Sequence, residues 1–175
     1  AISLEQAKNY FTRLFHEYGL PQRIRTDNGV PFASNAIARL STLSAWWIKL
    51  GIYPEQIEPG KPQQNGKHER MHRTLKKEAT IPPEKDLKSQ QRRFDAFVQE
   101  YNNERPHEAL GMNTPASVYS SSPRKMPKKL DHFDYPSHFE VRRVSRNSGI
   151  RWRKRWVKVS VTLAEEYIGF EEVED

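Results

Sequence analysis

The sequence predicts a helix-rich α/β segment followed by a small all-β, barrel-like domain, and three observations support this division. Apolar residues recur at helical spacing through most of residues 1–119, with short extended stretches between the helices. Residues 120–135 form a basic stretch rich in Pro and Ser, which is typical of a linker. Over residues 136–175 apolar and polar residues alternate instead, as they do in strands.

The first predicted elements are a helix and a strand. Ser3 and Gln6 have the spacing of a capping box, and Gly19 predicts the end of the helix. The predicted apolar face of this helix contains Leu4, Ala7, Phe11, Leu14, Phe15 and Tyr18. The predicted strand Arg23–Thr26 follows and runs into the turn-forming triplet Asp27-Asn28-Gly29. Asp27 is therefore expected at the carboxyl end of a strand.

Three further helices and one short helix are predicted. The second helix, capped by Ser34 or Asn35, ends at Leu50, and the third covers residues 65–77. The fourth covers residues 87–101, and Thr114-Pro115 predicts a short helix over residues 116–119. The second helix runs through Leu40, Leu43, Trp46, Trp47 and Leu50. The apolar face of the fourth contains Leu87, Phe94, Phe97, Val98 and Tyr101, and the last four of these are expected in the core.

The alternating region predicts at least four short strands, near residues 139–144, 150–152, 156–161 and 167–173. The segment Arg146-Asn147-Ser148-Gly149 has the turn chemistry of a hairpin between the first two strands. Because so short a region cannot enclose a large core, a compact barrel-like module is expected.

The composition restricts the class of partner. Twenty-nine Lys and Arg against 22 Asp and Glu give a formal charge of +7, which favours an anionic partner such as nucleic acid or an acidic membrane. No run of 18 apolar residues and no leader pattern is present, so neither a membrane span nor a secretory signal is expected, and the expected partners include no membrane. The absence of Cys excludes disulfides and thiolate metal sites and agrees with a cytoplasmic location.

Three separated segments resemble a known family. They are Arg25-Thr26-Asp27-Asn28-Gly29-Val30-Pro31-Phe32, the run from Pro62-Gln63-Gln64-Asn65-Gly66-Lys67-His68-Glu69 to Glu78, and the run from Tyr101-Asn102-Asn103-Glu104-Arg105-Pro106 to Ala116. In this order they resemble the second Asp, the Glu and the segment after that Glu in Asp-Asp-Glu transposases related to retroviral integrases, in the bacterial insertion-sequence branch. The resemblance covers most of residues 1–124.

The resemblance implies a partial ribonuclease H-like core and metal-dependent DNA strand cleavage and transfer. In this family three carboxylates hold two Mg²⁺ (or Mn²⁺) ions, and Asp27 and Glu69 match two of the three. Hard divalent cations prefer oxygen ligands, so carboxylates suit this chemistry. Implied partners are DNA, as element ends and target, and further copies of the chain, with no small-molecule substrate.

Neighbours of Glu69 are expected to contact DNA. Arg73 and Lys76 follow Glu69 at spacings of four and seven residues, so a helix places all three on one face. Cations there would meet phosphates beside the metals. By the same resemblance, Asn65 also contacts DNA.

Two features depart from the family pattern. The interval between Asp27 and Glu69, residues 28–68, is longer than the usual interval of about 35 residues. Loops and helices can absorb the additional residues. The family's first Asp lies on a strand that precedes the opening helix, and no segment of residues 1–175 matches it. We therefore expect residues 1–175 alone to be inactive. The apolar face of the first helix is expected to be exposed and to cause self-association.

The barrel-like module is expected to contact DNA as well. Its basic residues alternate with aromatic ones, which suits phosphate contact and base stacking. The candidate residues are Arg142, Arg143, Arg151, Arg153, Lys154, Arg155 and Trp152. The plainer interpretation is a solvated strand face with Trp in the core, and the acidic residues 165–175 could pair with the basic face.

Alternatives stay open for the site and for the function. Asp27-Asn28-Gly29 alone is an ordinary turn sequence, and Glu69 alone is an ordinary ion-pair partner for Arg73. His68-Glu69-Arg70-Met71-His72 matches the H-E-x-x-H zinc-peptidase motif, with Glu78, Glu84 or Glu100 as a third ligand. A third alternative, from a different class, is a non-catalytic DNA-binding or assembly module.

Overall fold

The computed structural model describes residues 3–27, 29, 32, 40–58, 60–130 and 134–172. The chain divides into one unit of Ala1–Pro59 with Ser122–Asp175 and a second unit of Gly60–Ser121. These two units differ from the predicted catalytic segment 1–119, linker 120–135 and barrel-like domain 136–175. The boundaries of those domains stay a prediction. Among the described residues, no helix has both the length and the apolar character needed to cross a membrane.

Helix α1, Leu4–Tyr18, begins at the predicted capping box. The Gln6 backbone N–H donates to the Ser3 hydroxyl at 3.2 Å, and the Gln6 side chain accepts from the Ser3 N–H at 2.9 Å. Gly19 ends the helix with a φ of 78°, a conformation that glycine adopts without the steric cost other residues bear. The predicted apolar face is only partly covered, because Leu14 and Tyr18 remain 40% and 42% exposed. Self-association through that face stays a prediction.

A parallel strand pair forms the sheet of the first unit. Strand β1, Arg23–Thr26, pairs with β2, Tyr53–Gln56, in the register Arg23 to Tyr53 through Thr26 to Gln56. Helix α2, Thr42–Lys49, lies between them in the chain and makes a βαβ connection. Its N-cap is Ser41, whose hydroxyl accepts from the Ser44 N–H, so Leu40 precedes the helix instead of belonging to it. The predicted caps Ser34 and Asn35 lie outside the described residues.

The core of the first unit forms around Trp47, which is fully buried. The Phe11 ring meets Trp47 edge-on at 4.9 Å between centroids, a favoured arrangement for aromatic pairs. Buried residues of this core are Ala7, Phe15, Leu20, Leu43, Trp47, Leu50 and Ile52. The helical spacing of α1 and α2 thus brings their apolar residues into one cluster with Leu20, Leu50 and Ile52, which lie outside the two helices.

The predicted linker begins with a segment that is bonded into the first unit. The Ser122 N–H donates to the Tyr18 carbonyl at 2.9 Å, and its hydroxyl donates to the Leu20 carbonyl at 2.6 Å. The Leu20 N–H donates back to the Arg124 carbonyl at 2.6 Å. Residues 122–124 therefore extend along the end of α1 and are not a free connection.

Four strands follow in the carboxy-terminal part, as predicted. They are β3, Glu140–Arg143, β4, Gly149–Trp152, β5, Arg155–Lys158, and β6, Tyr167–Phe170. The predicted hairpin between the first two strands is wrong: β3 pairs with β6 and β4 pairs with β5, both antiparallel. The observed hairpin turns at Arg153 and Lys154. The described strands form these two separate pairs, and closure into a barrel stays a prediction.

The second unit is helical. A 3-10 turn, Pro62–Asn65, leads into α3, Gly66–Leu75, which continues as a π turn over Lys76–Thr80. Helix α4, Leu87–Asn103, and the short α5, Pro115–Val118, follow. The prediction that Val98 belongs to the core is wrong, since it is 52% exposed, and Leu87 of the same predicted apolar face is 90% exposed. Phe97 is the buried member of the predicted α4 face.

Candidate active site

Asp27 lies directly after β1, as predicted, with its side chain exposed. One carboxylate oxygen accepts the Gly29 N–H at 3.1 Å, which makes a local turn of the chain. The Ile57 N–H donates to the Thr26 carbonyl at 3.2 Å, so strand pairing extends up to the residue before Asp27. The backbone on the amino-terminal side of this carboxylate is therefore held by the sheet.

An ion pair crosses the sheet close to Asp27. Arg25 and Glu55 face each other in the strand register, and their side chains meet at 2.8 Å. The hydrogen bond from Arg25 lowers the pKa of Glu55, and the same bond raises the pKa of Arg25. The Glu55 carboxylate is thereby neutralised by a neighbour on its own sheet.

Glu69 lies on α3 and is exposed, together with Arg73 and Lys76. Backbone angles stay helical through Lys76, so the spacing of four and seven residues keeps the three on one side of the helix. Asn65 ends the 3-10 turn before α3, where it was predicted to begin the helix. Asp27 belongs to the first unit, whereas Glu69, Arg73, Lys76 and Asn65 belong to the second.

The end of the Glu69 helix is fixed by two side chains of α4. The Arg93 guanidinium donates to the carbonyls of Glu78, Ile81 and Pro82 at 2.7–3.2 Å. The Gln90 amide donates to the Ala79 carbonyl at 2.6 Å. Carbonyls at a helix end lack partners within the helix, so these bonds secure it to α4.

Arg105 adds a second anchor that the sequence analysis did not identify. Its guanidinium binds both carboxylate oxygens of Glu78, at 3.1 and 2.7 Å, and Glu100 at 2.7 Å. The hydrogen bond from Arg105 lowers the pKa of Glu78, and that bond, with the one to Glu100, raises the pKa of Arg105. Its place in the family-like run after Glu69 was the available signal, but Glu78, which it binds through both carboxylate oxygens, lies 27 positions earlier in the sequence.

The same two arginines, Arg93 and Arg105, also bind the glutamates that the zinc-peptidase alternative needs as a third metal ligand. The rings of His68 and His72 lie 4.1 Å apart on α3, and burial lowers the pKa of His72, as do His68 and Lys76 to a smaller extent. The three glutamates considered as a third ligand are each paired with an arginine: Glu78 and Glu100 with Arg105, and Glu84 with Arg93 at 3.4 Å. The described residues contain no cluster of three potential ligands.

A family comparison gives a match that covers most of the second unit. Residues 50–115 match the integrase core domain family. This match supports an integrase or transposase family. It contains Glu69 with Arg73, Lys76 and Asn65, and it extends over the anchors Arg93 and Arg105.

A comparison of folds agrees with the integrase core domain match. The chain is similar to a chain in the cryo-electron-microscopy structure of the simian T-cell lymphotropic virus intasome in complex with PP2A regulatory subunit B56 gamma. The TM-score is 0.54 at 17% sequence identity, over 82% of this chain and 49% of that chain. The likeness shows a shared fold of mixed helices and strands, and this chain spans about half of the length of the chain it matches.

The predicted DNA-contacting residues of the carboxy-terminal strands lie outside the integrase core domain match. All six predicted cations are exposed: Arg142 and Arg143 on β3, Arg151 on β4, Arg153 and Lys154 in the turn, and Arg155 on β5.

The two Trp residues of this region differ in exposure. Trp152 donates to Glu140 at 3.1 Å, and its ring meets Phe170 edge-on at 5.5 Å and the Arg153 guanidinium at 4.9 Å. Trp156 is 56% exposed. The contacts of Trp152 agree with the plainer interpretation for that residue, as a packed side chain of the strand module.

Proposed function

We propose that this chain is part of an insertion-sequence transposase that cuts and joins DNA strands with divalent metal ions. The integrase core domain match over residues 50–115 carries the proposal, because it encloses Glu69 and the cationic helix face around it. The net charge of +7 suits a DNA partner. The proposed partners are the element ends, the target DNA and further copies of the chain.

Asp27 and Glu69 are the proposed metal ligands and catalytic carboxylates. Both are exposed, and within the described residues neither forms an ion pair, in contrast to Glu55, Glu78 and Glu100. Carboxylate oxygens are the ligands that Mg²⁺ and Mn²⁺ prefer, so these residues fit the ions that the family uses. When bound, a pair of such ions stabilises the attacking and leaving oxygens of an in-line phosphoryl displacement.

The remaining proposed residues bind and orient DNA. Arg73 and Lys76, exposed on the side of α3 that carries Glu69, neutralise phosphates next to the scissile bond, and Asn65 contacts the strand at the start of the helix. The six cations of β3–β5 and Trp152, with Trp156 as a more exposed ring, hold DNA further from the cleavage point.

The resemblance assigns a third carboxylate to a strand that precedes α1 in the family. We therefore propose that residues 1–175 alone bind DNA without joining it, because two carboxylates position two metal ions poorly.

A strand-transfer assay tests the proposal. The complete product of the reading frame that contains residues 1–175 should join labelled element ends to a plasmid with Mg²⁺ or Mn²⁺. The variants Asp27→Asn and Glu69→Gln should each lose joining but retain DNA binding, whereas the exposed Glu104→Gln serves as a control with the same charge change as Glu69→Gln. Joining by either site variant at the wild-type rate would refute these roles.

The second candidate function is a non-catalytic DNA-binding or assembly module. The exposed cations of β3–β5 favour it, since phosphate contact there requires no carboxylate. Salt-sensitive DNA binding by the complete product, with no joining under any metal condition, would select this function over the first.

A further inference from the structure

Acidic side chains approach four basic residues of the carboxy-terminal region, one of them Arg142, which pairs with Glu140 within β3. Glu165, in the connection between β5 and β6, lies 3.4 Å from the Arg143 guanidinium and 3.2 Å from the Arg146 guanidinium. Glu165 has a φ of 68°, a left-handed conformation that residues other than glycine seldom adopt. Its backbone N–H donates to the Val144 carbonyl at 2.9 Å, which holds this carboxylate beside β3.

The segment after β6 repeats this arrangement at the hairpin turn. Glu172 forms an ion pair with Arg153, one of the two turn residues between β4 and β5. Glu171 lies 3.7 Å from the His138 ring. Arg143 and Arg153 are both proposed DNA contacts, so carboxylates occupy positions where phosphates would bind.

These ion pairs are weak enough to exchange. The side chains of Arg143, Arg153 and Glu172 are 57%, 64% and 56% exposed, and water and salt compete effectively for such surface pairs. A DNA backbone presents a dense row of negative charges and gains by counterion release, which single carboxylates do not. DNA can therefore displace the carboxylates, although each one displaced reduces the net gain.

We propose that Glu165 and Glu172, with the adjoining Glu171, form an internal competitor, here called the acidic segment, in which Glu165 and Glu172 occupy cations of the β3–β5 surface until DNA replaces them. The inference rests on the proposed DNA contacts of this surface. The consequence is weaker binding to DNA that is short or that contacts only one or two of these cations. Only a duplex that engages several cations at once displaces the whole segment, because the cost of displacement is shared over more phosphate contacts.

Fluorescence anisotropy with a labelled duplex tests the inference on the chain as it stands. The variant Glu171→Gln/Glu172→Gln should bind duplex DNA about three- to tenfold more tightly at about 50 mM salt. Its affinity should fall more steeply with salt, because Arg153 then carries counterions that DNA releases. Near 200 mM salt the two affinities should approach each other.

A matched variant separates displacement from a general change in charge. Glu17→Gln/Glu104→Gln removes the same two charges from exposed positions on α1 and after α4. We expect less than a twofold change in DNA affinity from it, since distant charges are screened. Equal tightening by both double variants would overturn the inference.

Arg153→Gln supplies an independent check through its interaction with Glu172. In the wild-type chain this substitution should weaken DNA binding by less than about twofold, whereas in the Glu171→Gln/Glu172→Gln chain it should weaken binding by about three- to fivefold. The same loss in both backgrounds would also overturn the inference. If no form binds duplex DNA, the proposed DNA contacts fail and the inference with them. If the wild type binds but the double variant binds no more tightly, only the inference fails.

Discussion

Replacing Arg124 by alanine is expected to destabilise the first unit through the loops that precede its two parallel strands. The Arg124 guanidinium donates to the carbonyls of Pro21, Leu50 and Gly51 at 3.1, 2.8 and 2.9 Å. Pro21 lies just before β1, and Leu50 with Gly51 lies just before β2. One side chain therefore connects the starts of both strands and fixes the pairing that ends at Asp27.

The magnitude follows from the exposure of the three acceptors. The bonds to Pro21 and Leu50 are partly buried, whereas the bond to Gly51 is exposed and water can replace it. Two partly buried bonds from a charged donor, at about 1.5–3 kcal/mol each and with some rehydration, predict a loss of about 2–4 kcal/mol. Arg124→Lys, which cannot reach all three carbonyls, should lose roughly half of that.

Gly51→Ala provides a sharper test of the same contact. Gly51 has a φ of 68°, and a Cβ there would lie 2.8 Å from an Arg124 guanidinium nitrogen. The alanine therefore combines a backbone cost of about 1 kcal/mol with displacement of the guanidinium. In the Arg124→Ala background only the backbone cost remains. The double variant should therefore lose about 1 kcal/mol less than the sum of the losses of the two single variants.

Urea unfolding followed by Trp fluorescence measures these losses, because all four Trp residues lie in the first unit. Lys125→Ala, at the exposed neighbouring position, is the control and should change the free energy of unfolding by less than about 0.5 kcal/mol. An Arg124→Ala variant as stable as the control, or a loss simply additive with that of Gly51→Ala, would contradict this role of Arg124.

Three further predictions concern other parts of the chain. The hydrogen bond from Arg105 lowers the pKa of Glu78, so the pair stabilises the second unit at pH values above the usual glutamate pKa and stops doing so as the pH falls through the lowered pKa. Arg105→Ala should therefore lower the Tm near pH 7, measured by circular dichroism. It should also make the decrease of the Tm between about pH 5 and 3 smaller. Arg153 and Lys154 both have positive φ, so Arg153→Asn/Lys154→Gly should stabilise the hairpin by about 0.5–1 kcal/mol in urea unfolding but weaken DNA binding. A Cβ at Gly169 would lie 2.3 Å from a tyrosine ring, so Gly169→Ala should cost about 1–3 kcal/mol in the same unfolding assay; wild-type stability would contradict the packing of β6.

Local signals in the sequence were sufficient for several elements. The Ser3 cap, the strand up to Thr26 and the placement of Asp27 depend on residues within a few positions of one another, and the structure agrees with them. The start of α2 was predicted too early because Ser41, an equally good cap, lies after Ser34 in the chain.

Contacts between distant residues could not be predicted in this way. The turn chemistry of residues 146–149 indicated a hairpin, yet β3 pairs with β6, since strand pairing is decided by packing across the module. In the sequence, Arg124 is one of several basic residues in a predicted linker. Its hydrogen-bond acceptors lie about 70–100 positions earlier in the chain, so no local pattern indicates them. Periodicity also assigned Leu87 to the apolar face although it lies in the first turn of α4, where it is exposed.

The central proposal is that Asp27 and Glu69 are ligands of divalent cations. Paramagnetic broadening by substoichiometric Mn²⁺ in amide NMR spectra of the complete product of the reading frame measures this directly. We expect the amides of Gly29 and Gly66 to broaden, the first to sharpen in Asp27→Asn and the second to sharpen in Glu69→Gln. Broadening at neither glycine, or broadening at Gly29 that persists in Asp27→Asn and at Gly66 that persists in Glu69→Gln, would contradict these roles.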